Sequence, residues 1–275
     1  MRLVPARDGV RLAVTEAGSG PPIVFVHEFG GDSTSWDGQV AAFVDRYRCV
    51  TFNARGYPPS DVPEDVDAYS QWHARDDVLA VLDGLGIVRT ALVGLSMGAF
   101  SSLHVALAAP ERVAAIVIAG IGYGAPPAGR ERFQAEMRAN AEAIERDGIA
   151  AFAETYGRTP ARALLARKDP TAYAAQHARL AAHSALGSAN TMRGVQGRRP
   201  SLYDFEDSLR DLRVPTLIVG GEADEAALEA TRMLAATIPG SRLELLPATG
   251  HLINLEEPAR FDALVGSFLD EVGWR

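Results

Sequence analysis

The feature that most constrains the fold of this chain is the pentapeptide at residues 94–98, Gly-Leu-Ser-Met-Gly. An apolar run at residues 90–93 precedes it, and a helical pattern follows from position 99. A serine with a glycine two positions away on each side is the G-x-S-x-G pattern of a tight strand-to-helix turn. Such a turn strains the serine backbone and exposes its Oγ at the sheet edge, while the glycines avoid clashes between strand and helix. The pattern therefore predicts a nucleophilic serine at Ser96.

The pentapeptide lies within an alternation of predicted strands and helices. Continuous apolar runs at residues 23–26 and 113–118 indicate strands that are buried on both faces of a parallel sheet. Between them, residues 70–85 carry apolar side chains at helical spacing. The strand pattern resumes at residues 214–219 and 243–246, before a final helix from Pro258 to about Val272. This order predicts an α/β protein with a doubly wound parallel sheet.

The alternation is interrupted by a long segment without convincing strands, residues 124–211. Within it, Phe133, Met137 and Ile144 fall on one helical face, and a further helix is predicted from about Pro170 to Leu186. We interpret this segment as a helical insertion that covers the sheet.

Composition limits the possible partners and cofactors of the chain. Its 275 residues carry 35 acidic against 27 basic side chains, a net charge of −8, which argues against nucleic acid or an anionic membrane as the main partner. The single cysteine, Cys49, excludes an intramolecular disulfide and a cysteine-based metal cluster. His177 and His183 lack metal-ligand spacing, so we expect no metal. With no signal peptide or membrane span in the sequence, a cytoplasmic location is expected.

A serine becomes a strong nucleophile only when a base removes its proton and an acid orients that base. Asp224 follows the strand that begins at Thr216, and His251 follows the strand at residues 243–246. Both therefore fall at the carboxyl ends of parallel strands, on the sheet edge predicted for Ser96. Glu222 lies on the same loop as Asp224 and is the alternative acid.

Taken together, these motifs resemble those of the α/β-hydrolase superfamily over essentially the whole chain. The resemblance rests on five stretches, residues 27–31, 53–57, 94–98, 215–224 and 250–251. It implies an α/β-hydrolase fold with a mostly parallel eight-stranded sheet, flanked by helices, and a helical cap inserted after the sixth strand. The implied core comprises residues 1–123 and 212–275, and the implied cap, or lid, comprises residues 124–211.

The resemblance also implies how the site is completed. The backbone N–H groups of Phe29 and Met97 would form the oxyanion hole. Glu28 stands where most relatives have glycine, in a position similar to that of a glutamate in dienelactone hydrolases. We therefore consider Glu28 a candidate modulator, because a carboxylate near Ser96 and His251 would favour the imidazolium. Five aromatic residues are candidates for the substrate pocket, Trp36, Tyr57, Phe100, Tyr123 and Tyr203.

The implied activity is that of a serine hydrolase that cleaves a small-molecule carboxylic ester or lactone through an acyl-enzyme, without a cofactor. The pentapeptide is similar to that of oxoadipate enol-lactone hydrolases. Carbon–carbon bond hydrolases and cofactor-free perhydrolases use a similar turn and remain alternatives. So do a hydroxynitrile-lyase-like enzyme and a hydrolase-like receptor or binding protein. Serine at position 96 argues against dehalogenases and epoxide hydrolases, which resemble this fold but use aspartate there. Monomer and dimer both stay open.

Overall fold

A single eight-stranded sheet organises the chain. The computed structural model describes residues 1–275, apart from the side chain at position 161. In chain order, the strands β1 to β8 are Arg2–Pro5, Arg11–Ala17, Pro22–Val26, Arg48–Phe52, Thr90–Leu95, Val113–Ala119, Thr216–Gly221 and Arg242–Leu246. Their spatial order is β1-β2-β4-β3-β5-β6-β7-β8. Strand β2 runs antiparallel to β1 and β4, and all other neighbours are parallel. The predicted mostly parallel, eight-stranded α/β fold is confirmed.

The central strands are apolar throughout because both of their faces are covered. Every residue of β5, β6 and β7 is buried. Successive side chains of a strand point to opposite faces, so Leu92 and Ile116 pack into one core, and Val93 and Val117 pack into the other. The sheet therefore separates two hydrophobic layers.

Helices cover both of these layers. The α-helices α1 to α12 are Asp37–Phe43, Gln71–Gly84, Met97–Ala108, Arg130–Asp147, Ile149–Tyr156, Pro160–Lys168, Pro170–Ala181, Ala185–Asn190, Glu206–Asp211, Glu225–Thr237, Ile253–Glu256 and Pro258–Glu271. A π-helical stretch, Thr191–Gly197, continues α8, and short 3-10 helices occupy Ser33–Trp36, Val66–Ala68, Pro110–Arg112, Pro127–Gly129 and Leu202–Phe205. Helices α2, α3 and α10 pack on one layer, and α1 and α12 pack on the other. None of the described helices combines the length and apolarity that a membrane crossing requires.

The chain between β6 and β7 contains helices and no strand in its described part. Its helices α4, α5, α7 and α8 share an apolar cluster with Phe29 and Met97, which belong to the sheet-forming part of the chain. This cluster attaches the helical segment to the sheet edge where β3 and β5 end. The division into a core and a cap at residues 124 and 211 stays a prediction.

A buried charge network ties the loop after β4 to helix α2. The Arg55 side chain is 3% exposed and donates from Nε and Nη2 to the two carboxylate oxygens of Asp77, at 2.8 and 2.6 Å. Its Nη1 donates to Asp8 at 2.8 Å and to the carbonyl of Ala68 at 2.6 Å. Burial alone would raise the pKa of Asp8, but the hydrogen bond and charge of Arg55 lower it. This bidentate pairing compensates charges that would otherwise be costly to bury.

We expect Arg55→Ala to lower the free energy of unfolding by about 3 to 5 kcal/mol, because it leaves Asp77 buried without its partner. Urea unfolding followed by circular dichroism measures the change. Arg11→Ala is the control, since Arg11 pairs with Asp61 at the exposed surface and its loss should barely move the midpoint. Equal midpoints for the two variants would contradict the structural role of Arg55.

Candidate active site

Ser96 occupies the sharp turn between β5 and α3. Its backbone has φ 52° and ψ −113°, a left-handed conformation that residues other than glycine rarely adopt. The turn is held from both sides, because the Ser96 N–H donates to the carbonyl of Ala119 at 2.8 Å and the Ser96 carbonyl accepts from Phe100 at 3.0 Å. The strained geometry places the serine at the carboxyl edge of the sheet, as the pentapeptide predicts.

The two glycines of the pentapeptide permit this turn. A Cβ at position 94 would lie 2.5 Å from the carbonyl oxygen of Gly98, and a Cβ at position 98 would lie 2.0 Å from the carbonyl oxygen of Val26. Both obstacles are backbone atoms, which have no rotamer to change. Helix α3 can therefore pack this closely against β3 and β5 because neither glycine has a side chain.

His251 and Asp224 meet at the neighbouring strand ends. The loop after β7 carries Asp224, the loop after β8 carries His251, and His251 Nδ1 lies 2.6 Å from Asp224 Oδ2. Burial alone would raise the pKa of Asp224, but the charge and hydrogen bond of His251 lower it, so Asp224 stays ionised near neutral pH. Glu222, the alternative acid, is exposed. The structure therefore brings Asp224 to the histidine.

A carboxylate that sequence reasoning missed braces the His251 loop. Glu256 accepts the N–H of Gly250 at 2.7 Å and the N–H of Leu252 at 3.1 Å, on either side of His251. Its side chain is fully buried, and burial raises its pKa. A carboxylate that accepts two backbone N–H groups fixes the path of the chain between them. The sequence carries no signal for this contact, because Glu256 and Glu257 are adjacent and only the fold distinguishes them.

The amides proposed for the oxyanion hole are free to bind a ligand. Among the described residues, neither the Phe29 N–H nor the Met97 N–H has a hydrogen-bond acceptor. Met97 is the first residue of α3, where helix N–H groups lack intrahelical partners. The carbonyl of Phe29 accepts from the Tyr57 hydroxyl at 3.0 Å, which fixes the orientation of the loop after β3.

Ser96, Asp224 and His251 line one cavity of about 780 Å³, a size within the usual range for small-molecule sites. Two of the aromatic pocket candidates, Phe100 and Tyr123, also line it. The remaining walls come mainly from the helical segment and include Phe133, Met137, Phe152, Tyr156, Arg162 and Arg199. Sequence reasoning missed the two arginines, because isolated arginines in a helical segment form no recognisable motif.

Three of the five candidates do not line this cavity, and one of them is Tyr57, which is buried with its hydroxyl bound to the Phe29 carbonyl. Trp36 is a core residue, with its ring 5.3 Å from that of Phe25 and no exposed surface. Tyr203 packs beside α10, where its hydroxyl donates to Glu229 at 3.2 Å. Neither belongs to the cavity wall, because each ring packs against the flank of the sheet instead of its carboxyl edge. The expectation that Trp36, Tyr57 and Tyr203 line the pocket is wrong.

Glu28 belongs to the loop after β3 and is fully buried, and it is not among the residues that line the cavity. Its Oε1 lies 3.5 Å from Ser35 Oγ, and the same oxygen would be 2.2 Å from a Cβ at position 31. The carboxylate is therefore directed toward the 3-10 helix Ser33–Trp36. This placement does not support the expected contact of Glu28 with Ser96 and His251.

Within the described residues, no group of three or more His, Cys, Asp or Glu side chains is arranged to hold a metal ion. The thiol of Cys49 is buried on β4, and burial raises its pKa to about 11. The groups that the structure brings together at the site are the Ser96 hydroxyl, the His251 imidazole and the Asp224 carboxylate.

Comparison with known proteins identifies similar chains along nearly the full length. A family described as the alpha/beta hydrolase fold matches residues 21–258. The chain is 29% identical to a putative 2-succinyl-6-hydroxy-2,4-cyclohexadiene-1-carboxylate synthase of Bacillus subtilis, over 98% of each protein. It is also 29% identical to 3-oxoadipate enol-lactonase 1 of Acinetobacter baylyi, over 98% of this chain and 97% of the relative. A malate-bound thermophilic esterase from Thermogutta terrifontis superimposes with a TM-score of 0.87 at 26% identity, over 98% of each chain.

We expect Gly98→Ala to lower the free energy of unfolding by about 1 to 3 kcal/mol or more, because the new Cβ meets the backbone of Val26. Thermal or urea unfolding measures this loss. Gly38→Ala is the matched control on α1, since a Cβ there meets nothing within 4 Å and alanine favours a helix. A Gly98→Ala protein as stable as the control would contradict the close approach of α3 to β3.

We expect Glu256→Gln to lower kcat on any good substrate by about 10-fold with little change in KM, because the amide cannot accept from both loop N–H groups. Steady-state kinetics on the folded variant measures the effect. Glu257→Gln is the neighbouring control, since Glu257 pairs with Lys168 at the surface. Equal kcat values for both variants would exclude a positioning role for Glu256.

Proposed function

The chain belongs to the alpha/beta hydrolase family, and from this premise we propose that it is a serine hydrolase that cleaves a carboxylic ester or lactone. The observation that carries the proposal is the Asp224–His251 pair at 2.6 Å, in the same cavity as a serine on a strained turn. A carboxylate bound to Nδ1 leaves Nε2 of the imidazole to act as the base.

In the proposed reaction, His251 Nε2 takes the proton of Ser96 Oγ as the oxygen attacks the substrate carbonyl carbon. Asp224 stabilises the resulting imidazolium, and the Phe29 and Met97 amides bind the oxyanion. Collapse of the tetrahedral intermediate expels the alkoxide, which receives the proton from His251. Water then attacks the acyl-enzyme and gives its proton to His251, and the acid leaves as the proton returns to Ser96.

Residues 124–211 would act as the cap that shapes the acyl pocket above the core of residues 1–123 and 212–275. This division is supported by the cavity walls, because Phe133, Met137 and Phe152 of the helical segment face the same space as Ser96. Such a cover excludes water from the reacting carbonyl and strengthens the interactions with the oxyanion.

The relatives support a small ester or lactone as the substrate, since they include an enol-lactonase and an esterase. Carbon–carbon bond hydrolysis and perhydrolysis on the same residues remain alternatives, as does a non-catalytic binding role. A second candidate is synthase chemistry like that named for the Bacillus subtilis relative. A lyase that depends on a pocket lysine has less support, because Lys168 donates to Thr249 at 3.3 Å and pairs with Glu257. A cytoplasmic location stays a prediction.

We expect Ser96→Ala to lower kcat on nitrophenyl esters by about 10⁴-fold or more and to abolish labelling by a fluorophosphonate, because the nucleophile is missing. Asp224→Asn should lose about 10⁴-fold, since the imidazole then adopts the wrong tautomer. Ser102→Ala, buried on the same helix, should keep both activity and labelling. Labelling without ester turnover would favour a binding protein, and turnover that survives Ser96→Ala would refute the proposed mechanism.

A further inference from the structure

Two arginines of the cavity wall are buried without a carboxylate partner. Arg162 is 8% exposed and Arg199 is 3% exposed. Across the part of the chain that the structure describes, no Asp or Glu oxygen lies within the 4.0 Å salt-bridge distance of either guanidinium, and neither Nε has a hydrogen-bond partner. A buried and unpaired charge destabilises a protein by several kcal/mol. Groups of this kind are therefore candidates for a functional role.

Arg199 is contacted by aromatic rings and by neutral hydrogen-bond acceptors, but not by a negatively charged group. The guanidinium carbon lies 3.8 Å from the ring centre of Phe100 and 4.8 Å from that of Phe133. Its Nη2 donates to the carbonyl of Tyr123 at 2.5 Å, and its Nη1 donates to the side-chain oxygen of Gln196. These neutral acceptors orient the guanidinium and leave three of its five N–H groups to other partners.

The other charged groups of the cavity do not neutralise Arg199. Arg162 donates to the Tyr156 hydroxyl at 3.0 Å, and its charge acts on Asp224, whose pKa it helps to lower. The Glu136 carboxylate accepts from the Tyr123 hydroxyl, and Glu225 is exposed. Arg130 adds a further positive charge, which together with burial lowers the pKa of Arg199 to about 9. Arg199 is still largely protonated at neutral pH, and a bound anion would stabilise this buried charge.

Arg199 lines the same cavity as Ser96. Phe100, on which the guanidinium stacks, lies one helical turn after Ser96 on α3, a rise of about 6 Å at 1.5 Å per residue. A group bound at Arg199 would therefore be separated by only a few carbon atoms from a carbonyl carbon attacked by Ser96. The rings of Phe100 and Phe133 flank the guanidinium of Arg199, which is only 3% exposed.

We propose that Arg199 binds a carboxylate carried by the acyl part of the substrate, so that the enzyme acts on ω-carboxy esters or on lactones that bear a carboxylate. This inference rests on the proposed function. One buried guanidinium balances one negative charge, and its planar fork matches a carboxylate.

The test compares two nitrophenyl esters of similar size, one anionic and one neutral. One is the nitrophenyl monoester of adipic acid, and the other has two methyl groups in place of the carboxylate oxygens. We expect the wild-type protein to have the higher kcat/KM for the anionic ester. In Arg199→Gln the ratio of the two kcat/KM values should fall about 10- to 100-fold, mainly through KM for the anionic ester.

Arg198→Gln is the matched control, because Arg198 is the adjacent residue, is exposed and pairs with Asp67. It should keep the wild-type ratio. A wild-type protein that prefers the neutral ester would overturn the inference without any variant, and so would a ratio that Arg199→Gln does not change. In both cases, loss of neutral-ester turnover in Ser96→Ala would leave the proposed function standing.

Binding of adipate, measured by calorimetry, provides a readout that does not require turnover. We expect wild-type and Arg198→Gln proteins to bind adipate with similar Kd values and Arg199→Gln to bind it about 10- to 100-fold more weakly. If neither ester is cleaved but this difference appears, the carboxylate site stands and the proposed function fails. Equal Kd values in the three proteins would overturn the carboxylate site.

Discussion

The close approach of helix α3 to strands β3 and β5 is the constraint on which the site depends. A Cβ at position 98 would come within 2.0 Å of the Val26 carbonyl, so the contact exists only between bare backbones. That contact forces the turn at Ser96 into a positive φ, which raises the side chain from the sheet edge. It also leaves the Met97 N–H unpaired at the start of the helix, beside the nucleophile. One steric requirement thus positions both Ser96 and one of the two amides proposed to bind the oxyanion.

Buried charge is handled in two different ways in this molecule. Arg55 is almost completely buried, but its fork is matched by Asp77 and Asp8, and it joins a loop to a helix. Arg199 is buried to the same degree and has only neutral acceptors and aromatic rings around it. A buried charge without an ionic partner does not stabilise a protein. The geometry around Arg199 therefore points to ligand binding, whereas the ion pairs of Arg55 serve to hold the fold together.

Prediction from sequence succeeded where local patterns carry the information. Apolar runs such as β6 identified the buried strands, and chain order brought Asp224 and His251 to the same sheet edge, since parallel strands end together. Prediction was wrong for Trp36 and Tyr203, because an aromatic residue near a strand end can turn toward the cavity or the core and only packing decides which. The sequence likewise did not reveal the direction of the Glu28 side chain, whose carboxylate is directed toward Ser35 and not toward the cavity.

The sequence by itself determined the α/β fold and the strand-to-helix turn that carries Ser96, because period-two and period-3.6 patterns and the glycine spacing are local properties of the chain. Tertiary structure decided which side chains share the cavity. Glu256, the last residue of α11, braces the preceding His251 loop, and Arg199 contacts Phe100, which lies ninety-nine residues earlier in the chain. Contacts of this kind depend on where separate elements pack together, and no periodicity in the sequence records them.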